Sequence, residues 1–290
     1  MRAPSQVFPG LSWVAVLATM LVHMPVVASP PIDEPAAADR LVGLAIDTKA
    51  GADRRIVNAR TPPYRAIGKL TGSMACTAAI VLHPRIVLTA AHCVTGNMST
   101  LGRPGLLFRP AYQGGIGLGV FEARIWAMGS AQQLGEQSLH DASRDWAILL
   151  LKEKPADIRP LRLSSYTAGQ LKSLRGGIVL PSYSFDMAKA QALSVDPSCS
   201  VRDAMWEVLV HDCEAAAGAS GAPLLVRDDV WYAVVGIHSG AMLVDDGEHR
   251  PARPIGNSAI SVERFAASLR QLLMQLDAED DTEGVHALVF

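Results

Sequence analysis

The chain has 290 residues, of which 49% are hydrophobic and 19% are charged. A sequence of this length and composition can bury one large core or two small ones, which excludes a disordered chain. Its formal net charge of -2 gives no basic surface for phosphates or anionic lipids, so we expect no binding to nucleic acid or to a membrane surface.

The N-terminus has the features of an export signal. A positive charge is followed by an apolar run over residues 11–22, and Ala28 is a small residue suited to cleavage. An uncleaved membrane anchor is the alternative, but His23 and Pro25 interrupt the run before it reaches the roughly 20 apolar residues that span a bilayer. We therefore predict a signal peptide over residues 1–28, a secreted or periplasmic location and no stable membrane association after cleavage.

The remainder of the chain is predicted to contain one β-rich domain. Residues 29–55 are rich in Pro, Ala and Asp without a sustained period, which indicates a propeptide or linker. The folded domain is expected over residues 56–276, where short β-like runs alternate with turn residues in the pattern of an all-β sandwich or barrel. The runs cover residues 64–70, 76–82, 86–89, 146–151, 206–210, 223–226 and 231–237.

The cysteines are expected to form disulfides, because an exported chain meets an oxidising compartment. They are Cys76, Cys93, Cys199 and Cys213, and no C-x-x-C pair occurs among them. That spacing argues against a zinc site. The residues alone leave the pairing open.

His92 is the first candidate for chemistry along the chain. It follows the apolar residues 86–88 in the sequence Leu-Thr-Ala-Ala-His-Cys. A histidine held on a rigid scaffold beside a disulfide can serve as a general base. The alternative is a structural histidine at the end of a strand.

Asp145 opens the apolar run over residues 146–151. A carboxylate in this place can accept the second ring N–H of a histidine and stabilise the imidazolium that forms. The alternative is a turn residue at the start of a strand. Asp141 is the nearest competitor, but it lies in a polar loop outside the apolar run.

Ser220 lies in the sequence Gly-Ala-Ser-Gly-Ala-Pro over residues 218–223. A serine hydroxyl becomes a nucleophile when a base takes its proton, and acyl transfer also needs backbone N–H donors for the developing oxyanion. The neighbouring glycines permit such a backbone path. A turn of small residues between two strands is the alternative.

A helix is predicted near the C-terminus. Apolar residues recur at i, i+3, i+4 and i+7 from Val262 to Leu276, Ser261 occupies the N-cap position, and Glu263 complements the helix dipole. We expect this apolar stripe to pack on the β core. Residues 277–290 begin with an acidic run and are predicted to form a solvated tail.

The motifs that contain His92, Asp145 and Ser220 together resemble the signatures of trypsin/chymotrypsin-like serine peptidases. The resemblance extends over residues 56–276. The order His, Asp, Ser differs from the orders in subtilisin-like enzymes and α/β-hydrolases. The resemblance implies an all-β fold of two antiparallel six-stranded β-barrels of the chymotrypsin type, with the site at their junction and a C-terminal α-helix after them.

The resemblance also implies roles for the site residues. Ser220 is expected to be the nucleophile, His92 the general base and acid, and Asp145 the residue that orients the histidine. The backbone N–H groups of Gly218 and Ser220 are expected to form the oxyanion hole.

The implied disulfides are Cys76 with Cys93 and Cys199 with Cys213. The implied activity is that of a serine endopeptidase acting on protein or peptide substrates through an acyl-enzyme. This chemistry requires no cofactor, and the sequence has no metal-binding motif such as H-E-x-x-H.

The sequence differs from those of the digestive enzymes at several positions, and in these it resembles the bacterial glutamyl-endopeptidase-like branch. Ala219 stands where digestive trypsins have an aspartate that binds a newly cut N-terminus, so the usual activation ion pair is not expected. The sequence over residues 55–58 nevertheless resembles an activation site, and we expect any propeptide cut to fall near Arg55. The run over residues 211–214 and the strand that contains His238 also fit this branch.

The resemblance implies a substrate pocket that contains Glu214, His238, Ser239 and Gly240. His238 favours an acidic side chain before the scissile bond, because an imidazole donates a hydrogen bond to a carboxylate. Glu214 favours a basic side chain instead, since its charge repels an acid. A pocket for small or apolar groups is the third possibility, so the preference stays open.

Two other functions are compatible with parts of the sequence. A catalytically inactive homologue used as a secreted binding protein is one, although the chain keeps all three residues of the triad. An exported esterase is the other, although residues 218–222 do not form the G-x-S-x-G elbow of that class.

Overall fold

The computed structural model describes residues 41–42, 53–72, 74–95, 105–130, 136–137, 139–228, 231–244 and 253–287. The signal peptide predicted over residues 1–28 lies outside these ranges, as does most of the segment over residues 29–55. The boundaries of both segments stay predictions.

The described elements are mainly strands. The strands are β1 Leu41–Val42, β2 Arg55–Ile56, β3 Ile67–Thr71, β4 Ala75–Ile80, β5 Ile86–Thr89, β6 Leu106–Pro110, β7 Phe121–Met128, β8 Glu136–Gln137, β9 Ala147–Leu151, β10 Arg162–Leu163, β11 Ile178–Ser182, β12 Ser194–Cys199, β13 Val201–Met205, β14 Val208–His211, β15 Pro223–Asp228, β16 Trp231–Val244 and β17 Arg253–Ser261. The α-helices are α1 Leu139–Ala142, α2 Ala168–Ser173 and α3 Ala266–Ala287.

The first half of the domain is a closed barrel of strands in the order β3-β4-β5-β9-β7-β6. Every residue of β5 and β9 is buried, which explains their continuous apolar sequences. Strand β6 instead alternates buried and half-buried residues. This two-residue period is typical of a strand with one face towards the core and the other towards solvent. β5 and β9 pair antiparallel, with Thr89 opposite Ala147.

The second half is a sheet that has eleven strands within the described ranges, with the main order β13-β14-β17-β16-β15-β11-β12-β2. The resemblance implied six strands here. Four of the eleven are the two-residue strands β1, β2, β8 and β10, and the seven longer strands are still one more than six. The predicted fold class, mainly β with a C-terminal helix, is confirmed.

Several strand boundaries differ from their predictions. The run predicted from residue 64 begins with a 3-10 turn over Tyr64–Ala66, and another boundary differs because of a hairpin turn. The run over residues 206–210 was expected to be a strand, but β14 begins at Val208. Trp206 and Glu207 have φ angles of 52° and 59° and form the two-residue turn of the hairpin in which Met205 pairs with Val208. Positive φ at both central residues is the geometry of the turn that matches strand twist.

The C-terminal helix packs its apolar stripe on the core as predicted. It is preceded by a 3-10 turn over residues 262–264, where the Ser261 hydroxyl accepts the Glu263 N–H at 3.4 Å. Phe265, Leu269 and Leu276 are buried. The helix continues past Leu276 through the acidic run, where a tail was expected, and ends at Ala287. Of the helices described, none has the length and apolar character to cross a bilayer.

Candidate active site

His92 and Asp145 lie together because their strands are neighbours. His92 is in a 3-10 turn over residues 91–93 that follows β5, and Asp145 precedes β9. The two strands pair antiparallel, so both residues lie at one end of the barrel. The His92 Nδ1–H donates to Asp145 Oδ2 at 2.7 Å, and the His92 backbone N–H donates to Oδ1 at 2.9 Å.

Both pKa values are shifted in the direction of an ion pair. Burial disfavours charged His92, but the Asp145 charge and hydrogen bond outweigh it, so the pKa of His92 is raised above 6.5. Burial also disfavours ionised Asp145, yet its contacts with His92 and Ser239 outweigh it and lower its pKa. The Ser239 hydroxyl donates to Asp145 Oδ2 at 2.5 Å. Asp145 is therefore held as a carboxylate that faces the imidazole.

The loop around Ser220 is fixed by Thr77 of the first barrel. The Thr77 N–H donates to the Ser220 carbonyl at 2.9 Å, and its hydroxyl donates to the Gly218 carbonyl at 2.8 Å. The same hydroxyl oxygen accepts the Tyr183 N–H at 2.9 Å. One threonine of β4 thus joins the first barrel to two segments of the second half.

Gly221 allows this close approach. Its φ angle is +79°, and a β-carbon there would lie 2.2 Å from Thr89 Oγ1 and 2.4 Å from the Thr77 carbonyl. Both contacts are far inside van der Waals distance. The glycine after the serine is therefore required by the packing of the two halves.

The Ser220 hydroxyl donates to the Ser239 carbonyl at 3.5 Å. Within the part of the chain that the structure describes, it forms no hydrogen bond with His92. In enzymes without substrate, such bonds are often long and tighten only in the complex.

Two backbone donors beside Ser220 are available for an oxyanion. Gly218 has a φ angle of +95°, and a β-carbon there would lie 2.4 Å from the Tyr183 carbonyl. The N–H groups of Gly218 and Ser220 donate to no acceptor among the residues that the structure describes. Both remain for a ligand.

Two buried histidines form a hydrogen-bonded pair next to this loop. His211 Nε2 lies 3.2 Å from His238 Nδ1, and both side chains are almost fully buried. Burial lowers the pKa of His211 to about 4, and burial followed by the charges of His211 and His92 lowers that of His238 well below its usual value. Both rings are thus neutral near pH 7.

The tautomers of the pair follow from the neighbouring donor. The Cys213 N–H donates to His211 Nδ1 at 3.2 Å, so neutral His211 carries its proton on Nε2. That proton is donated to His238 Nδ1, which leaves neutral His238 with its proton on Nε2. The pair therefore keeps one N–H of His238 for another acceptor.

Glu214 has a basic partner. Its Oε2 lies 3.7 Å from Arg54 Nε, and the Glu214 side chain is 15% exposed. Arg54 also pairs with Asp186. Arg54 Nε and Glu214 Oε2 form no hydrogen bond at this distance. Because the one cation also faces Asp186, it offsets only part of the negative charge of Glu214.

The structure joins Cys76 with Cys93 and Cys199 with Cys213, the pairing that the resemblance implies. The ligand atoms of His92, Cys76 and Cys93 lie within 4.8 Å of one another. Because the two sulfurs are joined, they supply no thiolate for a metal. The disulfide instead braces the turn that holds His92.

The structure brings most of the predicted site residues together. His92, Asp145 and Ser239 form one hydrogen-bonded chain, and Ser220 joins it through the Ser239 carbonyl. Ser239 was predicted to line the substrate pocket, and the structure adds its hydrogen bond to Asp145. Gly240 lies next to it, with its carbonyl bonded to the Ser258 hydroxyl at 3.0 Å.

Three contributors to the site were missed by the sequence analysis. They are Thr77, Arg54 and the bond from His211 to His238. For the histidine pair, the available signal was that His211, two residues before Cys213, and His238 each lie on a β-like run. Thr77 and Arg54 have no motif that distinguishes them.

Comparisons with known proteins concern the family and the fold of the chain. The family model described as Trypsin matches residues 54–259. The structure of a Glu endopeptidase in complex with MPD is similar with a TM-score of 0.55 and 18% identity, covering 76% of this chain and 97% of that one.

The secreted serine protease VesC from Vibrio cholerae is similar with a TM-score of 0.54 and 16% identity, covering 75% of this chain and 47% of VesC. The chain thus spans about half the length of VesC. At these identities the two structural likenesses concern the fold. No curated protein sequence matches the chain.

Proposed function

The chain belongs to the trypsin family of serine peptidases, and from that premise we propose that it is an exported endopeptidase that acts through Ser220, His92 and Asp145. The observation that carries this proposal is the 2.7 Å hydrogen bond from His92 Nδ1 to Asp145 Oδ2, at the junction where the Ser220 loop meets the first barrel. Peptides and proteins are the substrates of this family.

The proposed reaction begins with proton transfer from Ser220 to His92. Asp145 holds the Nδ1 proton, so the Nε2 lone pair takes the hydroxyl proton while Oγ attacks the peptide carbonyl. The negative charge on the carbonyl oxygen is stabilised by the N–H groups of Gly218 and Ser220. His92 then gives its proton to the leaving amine, which produces an acyl-enzyme.

Water completes the cycle by the same steps. His92 takes a proton from water, the hydroxide attacks the acyl carbonyl, and the Ser220 oxygen leaves with the proton from His92. The carboxylic acid product is released, and no atom is left on the protein. This cycle uses only residues of the chain.

We propose an acidic side chain before the scissile bond. The supporting observations are the N–H that the histidine pair keeps on His238 and the pairing of Glu214 with Arg54. The first offers a donor to a carboxylate, and the second reduces the charge that would repel it. This preference agrees with the glutamyl-endopeptidase-like branch.

A secreted or periplasmic location is part of the proposal. The predicted export signal supports it, and so do the two disulfides, because disulfides persist in oxidising compartments.

Labelling with a fluorophosphonate, followed by peptide mapping, tests the nucleophile. We expect the label on Ser220 alone, and we expect Ser220→Ala to abolish labelling and casein cleavage while the melting temperature is preserved. Ser165→Ala is a matched control, because Ser165 is exposed. A label on another residue would reject the assignment.

The products of casein cleavage test the type of activity. Internal fragments are expected from an endopeptidase. Hydrolysis of a short-chain nitrophenyl ester without casein cleavage would indicate an esterase, and a folded protein that neither labels nor cleaves would indicate a binding protein.

A further inference from the structure

A buried arginine lies at the start of the domain, close to the serine loop. The Arg54 side chain is 2% exposed, and its guanidinium binds the Asp186 carboxylate through two nitrogens, Nη1 at 3.2 Å and Nη2. Its Nε lies 3.7 Å from Glu214 Oε2. One cation is therefore placed between two carboxylates that are distant in sequence.

The two carboxylates belong to the segments that enclose the oxyanion loop. Asp186 follows Phe185, whose N–H donates to the Ala217 carbonyl at 2.8 Å and whose ring would lie 3.1 Å from a β-carbon at Gly218. Glu214 lies on the chain that leads into the same loop. Arg54 is hydrogen-bonded to Asp186, and its charge lies 3.7 Å from Glu214 without a hydrogen bond, so it attracts both segments that hold Gly218.

The residues that follow Arg54 are also fixed in place. Arg55 pairs with Val195 and Ile56 with Ser194 in β2 and β12, and the Val57 N–H donates to the Leu193 carbonyl at 3.0 Å. The Ile56 side chain is 42% exposed. The peptide bond between residues 55 and 56 thus lies in an edge strand, and its cleavage would remove the covalent link between Arg54 and the residues of the serine loop.

Digestive trypsins have, directly before the serine, an aspartate that binds the amine of a newly cut chain. Ala219 occupies that position and is fully buried. The positive charge near the oxyanion loop comes instead from a side chain within the chain. This charge is present without any cut.

We infer that Arg54 is a positioning residue for the oxyanion hole, and that the active enzyme retains Arg54 with the bond between residues 55 and 56 intact. The inference rests on the proposed function. It opposes the expectation of a propeptide cut near Arg55. Without Arg54, Asp186 and Glu214 are left without their shared cation, and their repulsion loosens the segments around Gly218.

The N-terminus of the active protein is the first test. The full chain is labelled with a biotinylated fluorophosphonate, the labelled protein is captured, and its first residue is determined by mass spectrometry. We expect it to begin at or before Arg54. Labelled protein that begins at Ile56 would overturn the inference.

Arg54→Ala is the second test, with Arg55→Ala as the matched control. Arg55 is the exposed neighbour, so its substitution should change the rate of Ser220 labelling by less than about twofold. Arg54→Ala should slow labelling by about 100-fold, as the loss of an oxyanion donor does. For a peptide with an uncharged side chain before the scissile bond, it should lower kcat with little change in KM, because Arg54 does not touch the substrate.

Added guanidinium ions, at concentrations far below those that unfold proteins, should restore part of the labelling rate of Arg54→Ala and leave Arg55→Ala unchanged. Labelling of Arg54→Ala at the wild-type rate would refute the inference. If Arg54→Ala does not fold, the N-terminus of the labelled wild-type protein still decides. If the wild-type protein carries no label on Ser220, the proposed function itself fails.

Discussion

Replacing His211 with leucine tests whether the buried histidine pair sets the preferred side chain before the scissile bond. In the wild-type protein, the His211 Nε2 proton is donated to His238 Nδ1 at 3.2 Å, which keeps the His238 proton on Nε2. Leucine fills a similar volume but donates no hydrogen bond. His238 then becomes free to carry its proton on Nδ1 and to present a bare Nε2 lone pair, which repels a carboxylate.

The size of the effect is that of one hydrogen bond to a charged group. Such a bond contributes about 1.5 to 3 kcal/mol, which corresponds to roughly 10- to 100-fold in kcat/KM for an acidic substrate. Both rings are almost fully buried, so solvent does not replace the lost donor.

The same substitution should change the acid sensitivity of the fold. Burial lowers the pKa of His211 to about 4 from 6.5. Because the folded pKa lies below the unfolded one, the neutral ring contributes stability that is present above pH 6.5 and is lost as the pH falls towards 4. The loss amounts to about 3 kcal/mol. The His211→Leu protein has no ring to protonate here, so its free energy of unfolding should not show this loss as the pH falls.

The assay compares two peptides that differ only in Glu or Ala before the scissile bond. We expect His211→Leu to lower the Glu-to-Ala ratio of kcat/KM by the factor given above, with the rate of Ser220 labelling unchanged. His211→Gln is the control, because its amide donates a hydrogen bond and should retain part of the ratio. An unchanged ratio in His211→Leu would refute the reasoning, as would wild-type cleavage that occurs mainly after Lys or Arg.

Three further predictions concern the triad and its supports. The wild-type kcat/KM should fall as the pH drops through a value above 6.5, because the pKa of His92 is raised. Asp145→Asn should lower kcat by about 10⁴-fold and move this acidic limb of the pH–rate profile to lower pH. An acidic limb at the wild-type pH would contradict the assignment. Gly221→Ala should lower the free energy of unfolding by more than about 2 kcal/mol and abolish Ser220 labelling, as measured by thermal melting and labelling rate. Replacing both Cys76 and Cys93 with alanine should cost about 3 kcal/mol of stability and also lower kcat, whereas loss of the other disulfide should lower stability alone.

The candidate triad was predictable from the sequence because each member lies in a short local motif. His92 and Asp145 each border an apolar strand, and a strand of continuous apolar residues is readable without its partners. The structure then shows that these strands are neighbours in one barrel, which places both residues at one end. Each motif therefore predicted where its residue lies relative to a strand, as well as the chemistry of its side chain.

The supporting contacts were not predictable in this way. Thr77 lies on a buried strand whose sequence indicates only a core element. Its backbone N–H and its hydroxyl nevertheless donate hydrogen bonds to the loop of Ser220. Trp206 belongs by composition to the strand that follows, but its positive φ makes it part of a turn. In both cases the decisive partner or dihedral angle is a property of the tertiary structure and leaves no periodic signal.

Glu214 shows how the same limitation affects a prediction of specificity. Taken from its position in the motif, its carboxylate favours a basic side chain in the substrate and opposes an acidic one. The structure pairs it with Arg54, which is 160 residues earlier in the chain, and so offsets its charge. The effect of a carboxylate on a ligand depends on the cation near it, since the opposite charge weakens the field of the carboxylate at a distance. The substrate preference therefore follows from His238 only while Arg54 is in place, and Arg54→Ala should shift residual cleavage away from acidic side chains.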